Sequence, residues 1–137
     1  MIIIYIMEIT IPNWVSIKNY RTMTGEKKTH AVNGNKLIQY EWMKEEVNEF
    51  YEAIYLENIE EIHDEAIGLI RTFQQFKDSK RVVFLWKKVR KDVLRVFPTR
   101  KIFIEAFVKW HKKKIQKNQA LGVTPEELID ISKIKWK

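Results

Sequence analysis

The sequence predicts an all-α protein, an antiparallel helical bundle, on three observations. Apolar residues recur at helical spacing through four successive stretches. Only four Gly and three Pro interrupt 137 residues. The breaks that do occur carry residues that cap helices. A chain of this length supports one domain, and its 45% hydrophobic and 31% charged residues suit a globular fold.

Residues 1–35 contain Pro12, Gly25, Asn33 and Gly34 and no sustained helical period, so they are read as an irregular or extended arm. Within it, Glu26, Lys27 and Lys28 are expected in a loop. The opening MIIIYIMEI is β-branched and reads as a short strand or extended segment. It lacks the basic flank and cleavage site of a signal peptide, and it falls short of the ~20 apolar residues that cross a bilayer.

Residues 36–137 are read as one helical domain. From Lys36 to Leu56, Met43, Val47, Phe50, Tyr51 and Ile54 mark one face, and Glu57-Asn58 is the expected break. From Ile59 to Lys77 the pattern returns with Ile62, Ala66, Leu69, Ile70, Phe73 and Phe76. So short a link makes these two helices antiparallel neighbours. Asp78-Ser79 can cap a third helix to Val96, with Val82, Leu85, Trp86, Val89 and Val93 inward. Pro98-Thr99 restarts the chain, and a fourth helix runs from Arg100 to Gln119 with Phe103, Phe107 and Trp110 on neighbouring turns. Thr124-Pro125-Glu126-Glu127 combines an N-cap, a first-turn Pro and a capping-box Glu, and opens a short helix to Ile131.

The absence of cysteine removes disulfides and thiolate metal sites and is compatible with a reducing compartment, so a cytoplasmic protein with no membrane attachment is expected. The formal net charge is +7, yet the charge is segregated. Residues 41–66 hold ten acids against Lys44 alone, whereas residues 77–117 hold fifteen bases against Asp78, Asp92 and Glu105.

Helical projection at ~100° per residue places the acids. Glu46 and Glu49 lie on one edge of the first apolar stripe, while Glu45 and Glu52 point towards solvent. On the next helix Glu65 holds the matching position, Glu61 sits one turn earlier, and Asp64 is turned further outward. Antiparallel pairing then sets Glu46 and Glu49 across a groove from Glu61 and Glu65. Carboxylates brought so close repel unless a cation neutralises them, and a hard ion with oxygen ligands, Mg²⁺ or Mn²⁺, fits such a set. A solvated acidic face, or salt bridges to the basic helices, is the competing reading.

Glu45-Glu46-x-x-Glu49, followed by a helical break and a second acidic helix, resembles the MazG-like nucleotide pyrophosphohydrolases of the all-α NTP pyrophosphatase superfamily, whose pattern is EExxE followed by ExxD. The resemblance covers Lys44 to Phe76. Its second half has two placements. Glu61-Ile62-His63-Asp64 spells the motif literally but lies closer to Glu49 than the usual gap. Glu65-Ala66-Ile67-Gly68 has the better helical register, with Gly68 at the aspartate position. The resemblance implies a helical core completed by a second copy, as a homodimer or dimer of dimers. It also implies Mg²⁺ (or Mn²⁺) held among Glu46, Glu49, Glu61, Asp64 and Glu65. The implied reaction cleaves a nucleoside triphosphate to the monophosphate and pyrophosphate. Glu46 or Glu49 would serve as general base.

Polyphosphate partners are sought among Arg71, Lys87, Lys88, Arg90, Arg95 and Lys109, and Trp42, one turn before Glu46, is the indole best placed to stack a base, although core packing is the usual role of such residues. His30, His63 and His111 show no zinc spacing, and His63 reads as a surface residue. No P-loop, dinucleotide-binding or nucleophile-elbow motif occurs. Two other readings stay open: a scaffold of this kind that binds nucleotide without turnover, and a nucleic-acid-binding module built on the basic segment Lys77–Lys117.

Overall fold

The computed structural model describes residues 9–15 and 23–117. The expected N-terminal strand, apart from Ile9, and the expected helix from Thr124 to Ile131 lie outside the described residues. Among those described, five helices follow in order: α1 (Gly25–Val32), α2 (Lys36–Tyr55), α3 (Ile59–Gln75), α4 (Lys80–Arg95) and α5 (Arg100–Lys117). They form an all-α bundle, and none is long and apolar enough to cross a membrane.

Local chemistry sets the boundaries. Thr24, Asn35, Asn58 and Ser79 stand at the N-caps of α1 to α4, each accepting a backbone N–H of the first turn. Thr99 does the same for α5, taking the Ile102 N–H at 3.2 Å. Each such cap contributes roughly 1 kcal/mol. Between α1 and α2 the chain reverses at Gly34, whose φ of 101° a side chain would disfavour. Between α2 and α3 it turns at Glu57, held at φ 56° without the freedom of glycine.

The expected bounds of α2, α3 and α4 match to within two residues. The arm is corrected: Gly25–Val32 is helical, so Glu26, Lys27 and Lys28 lie on a helix rather than in a loop. α1 docks on α2 through buried Ala31, whose carbonyl accepts Gln39 Nε2 at 2.7 Å. Ile9 and Met23 are also buried in the core.

That core joins the predicted stripes. Met43, Val47, Phe50 and Tyr51 of α2 meet Ile62, Ala66, Leu69 and Ile70 of α3, all of them fully or nearly fully buried. Val82, Val89 and Val93 of α4 and Phe103 of α5 close the other side. Aromatic edges lock the joints: Phe97 meets Phe103 edge-on at 5.1 Å, and Phe73 stacks on Trp86 at 4.7 Å. Tyr51 donates its hydroxyl to Asp92 at 2.6 Å, tying α2 to α4. His63 is half-buried, stacked on Phe97 at 5.1 Å with Nε2 3.1 Å from the Val96 carbonyl oxygen. It is therefore packed against the end of α4 rather than lying at the surface, and desolvation holds its pKa down.

Candidate metal and phosphate site

Residue numbers rise along α2 as they fall along α3 where the two touch. Glu49 bonds to Glu65, and Glu46 lies against Gly68. The helices are thus antiparallel, and their shared edge brings three carboxylates together. Ligand-capable oxygens of Glu46, Glu49 and Glu65 all lie within 4.8 Å of one another.

Gly68 makes room for this approach. A Cβ there would come within 3.3 Å of Glu46 Oε2, closer than ordinary contact. The Gly68 carbonyl also accepts the Thr72 hydroxyl at 2.9 Å. On the other side of Glu46, Trp42 donates its indole N–H to Oε1 at 3.4 Å. That indole is only 9% exposed and packs edge-on to Phe76 at 5.2 Å. Trp42 therefore meets Glu46 through its N–H, and it lines the cavity described below with a largely buried ring.

Electrostatics marks the cluster as unsatisfied. Burial, then repulsion from Glu49, pushes Glu46 up to about 7. Burial likewise raises Glu49, with Glu65 adding repulsion. Glu65 is raised chiefly by burial, with Glu46 and Glu61 adding to it. Three half-buried acids set this close resist ionising together, and Glu49 and Glu65 share a hydrogen bond.

The carboxylates line a cavity of about 610 Å³ bounded by α1, α2, α3 and α5. Its other lining residues include Lys28, Arg71, Thr72, Trp110, Lys113 and Lys114. Lys28 reaches over the Trp42 ring at 5.5 Å, and Lys114 lies 5.7 Å from the Trp110 ring centre. Lys113 bridges α5 to α3, with Nζ 2.6 Å from both Glu60 and Asp64. Burial lowers the pKa of Arg71, while Glu46 opposes that shift. One cavity thus joins an anionic wall to a cationic one.

Glu46, Glu49 and Glu65 converge as helical projection places them. Asp64 lines the cavity but is held by Lys113, and Glu61 is exposed outside it, its N–H capped by Asn58 Oδ1 at 3.2 Å. Glu45 is the plainest correction. It is buried rather than turned to solvent, and it accepts the Met23 N–H at 2.8 Å, so the first acid of the pattern serves the fold. Of the cations sought, Arg71 is at the cavity, whereas Lys87, Lys88, Arg90, Arg95 and Lys109 do not line it. Sequence reasoning missed Lys28, Trp110, Lys113 and Lys114 as lining residues. The last three share one face by their i, i+3 and i+4 spacing on α5, a signal present in the sequence; Lys28 had none.

Comparisons with protein-family models, with curated proteins and with solved structures find no match. What the site can do rests on its own donor set. Three carboxylates and no sulfur or imidazole suit a hard divalent ion such as Mg²⁺ or Mn²⁺.

Proposed function

We propose that the protein is a metal-dependent nucleoside triphosphate pyrophosphohydrolase, converting an NTP or dNTP to the monophosphate and pyrophosphate. One observation carries this reading: the Glu46–Glu49–Glu65 cluster and the Lys28, Arg71, Lys113 and Lys114 cations line the same cavity. A site for a free cation needs no cationic wall, and a site for a simple anion needs no carboxylate cluster. A polyphosphate carrying a divalent ion needs both.

Glu46, Glu49 and Glu65 would hold Mg²⁺ or Mn²⁺, which when bound neutralises phosphate charge and lowers the pKa of the attacking water. The cationic side chains orient the triphosphate and stabilise negative charge developing on the leaving pyrophosphate. Whichever of Glu46 and Glu49 keeps a carboxylate oxygen free of the metal accepts the proton of a water attacking the α-phosphorus. The bond from that phosphorus to the bridging oxygen breaks, and pyrophosphate leaves. Pairing with a second copy and a cytoplasmic setting belong to the same reading.

The test is pyrophosphate release from a panel of NTPs and dNTPs with Mg²⁺ or Mn²⁺. Glu46→Gln and Glu49→Gln should each lower turnover by at least about a hundredfold, the scale of a lost general base, with helical content unchanged. No release across the panel, or full activity in both variants, would overturn the assignment.

A further inference from the structure

The bases of α4 are not at the cavity, and they form a second surface. Its exposed residues are Lys80, Arg81, Lys87, Lys88, Lys91 and Arg95, together with Phe84. At ~100° and ~1.5 Å per residue they occupy an arc of about 120° over a length of about 22 Å. None of the six cations forms an ion pair among the described residues. The one acid of this helix, Asp92, is turned inward to the Tyr51 hydroxyl.

The aromatic residue is the informative one. Phe84 is 62% exposed in the middle of the stripe, and Trp14 is 46% exposed beside it. Lys88 Nζ lies 4.9 Å from the Phe84 ring centre and 5.1 Å from that of Trp14, linking the two rings. On the other flank, a hollow of about 310 Å³ is lined by Phe84 and Val83 with Lys77, Lys80, Lys87 and Asp78. A cationic track carrying open aromatic rings is the arrangement that grips a phosphate backbone while stacking unpaired bases.

We propose that the outer face of α4 binds single-stranded nucleic acid, separately from the carboxylate cavity. The cations follow the backbone, and a base stacks on Phe84 beside the hollow. A duplex would use the cations but offers its bases no access to the ring. An anionic bilayer fits less well, because Val82, Leu85, Val89 and Val93, the apolar face that an interfacial helix would insert, are buried in the core.

The test is fluorescence anisotropy of a labelled oligothymidylate with the whole protein across a salt series. A duplex of equal length and phosphatidylserine vesicles serve as competitors. Four neutralised phosphates give a log–log salt slope of about −3. The Lys80→Glu/Lys91→Glu double variant should weaken binding at least tenfold. Phe84→Ala should weaken the single strand by about fivefold or more, the scale of one lost stack, and leave the duplex unchanged. Both variants alter exposed positions, and thermal melts matching the parent verify the fold. Absence of binding at low salt, indifference to both variants, or stronger competition by duplex or vesicles than by unlabelled single strand would each overturn the proposal.

Discussion

At Gly68 a missing carbon decides how closely α3 can bring its edge to Glu46. A Cβ added there meets the far end of the Glu46 side chain at 3.3 Å, and that carboxylate can retreat by a few tenths of an ångström. Alanine also favours a helix interior over glycine by roughly 1 kcal/mol. Gly68→Ala is therefore expected to raise the melting temperature while weakening Mn²⁺ binding several-fold, measured by calorimetric titration. A lower melting temperature with unchanged Mn²⁺ affinity would contradict this account. The same cluster predicts a pH dependence. Glu46 is raised from an ordinary carboxylate to about 7, and Glu49 and Glu65 are raised with it. Between the unfolded and folded values the native state holds more protons, so the contribution of Glu46 to metal-free stability is full below about pH 4.5 and is lost as pH rises through about 7. Deprotonation is also what a metal requires. The increase in melting temperature produced by Mg²⁺ should accordingly be larger at pH 8 than at pH 6. Glu46, Glu49 and Glu65 were legible in the sequence because helical arithmetic governs residues at the edge of a buried stripe. Glu45 was not, because its neighbour Met23 lies twenty-two positions away, and projection of one helix cannot see what covers it.

At the scale of elements, the long helices were legible from caps and breaks, and α1 was not. Eight residues give too little length for a period to emerge, and Ala31 is the sole buried residue of α1. Its position comes from α2: Glu45 holds the Met23 N–H just before α1, and Gln39 holds the Ala31 carbonyl at its end. Burial raises the pKa of Glu45, with the Met23 hydrogen bond opposing it. Glu45→Ala leaves a buried N–H without its acceptor and should cost about 1–3 kcal/mol in a denaturant melt. Glu45→Gln keeps an acceptor oxygen and should cost much less. Equal stability of the two variants would show that this hydrogen bond does not hold α1.

Across the whole molecule, the segregated charge is resolved unequally on two faces. Lys113 carries positive charge from α5 onto Glu60 and Asp64 of α3, with each carboxylate pulling the lysine pKa upward. The outer face of α4 has no acidic partner of this kind among the described residues. The sequence showed that acids and bases were separated but could not show which bases folded back over the acids, because that depends on how α5 returns across α3. Lys113 thus stands between two roles, bracing α3 to α5 and facing the cavity proposed to take the polyphosphate. Solvent-exposed ion pairs contribute little to stability, whereas a lysine directed at a polyphosphate contributes to binding. Lys113→Ala should therefore leave the melting temperature nearly unchanged and raise the nucleotide KM several-fold, the increase diminishing as added salt screens the wild-type attraction. Lys113→Arg preserves the charge and should recover most of the affinity. A large loss of stability in the alanine variant would make Lys113 a structural brace, and an unchanged KM would remove it from the phosphate wall.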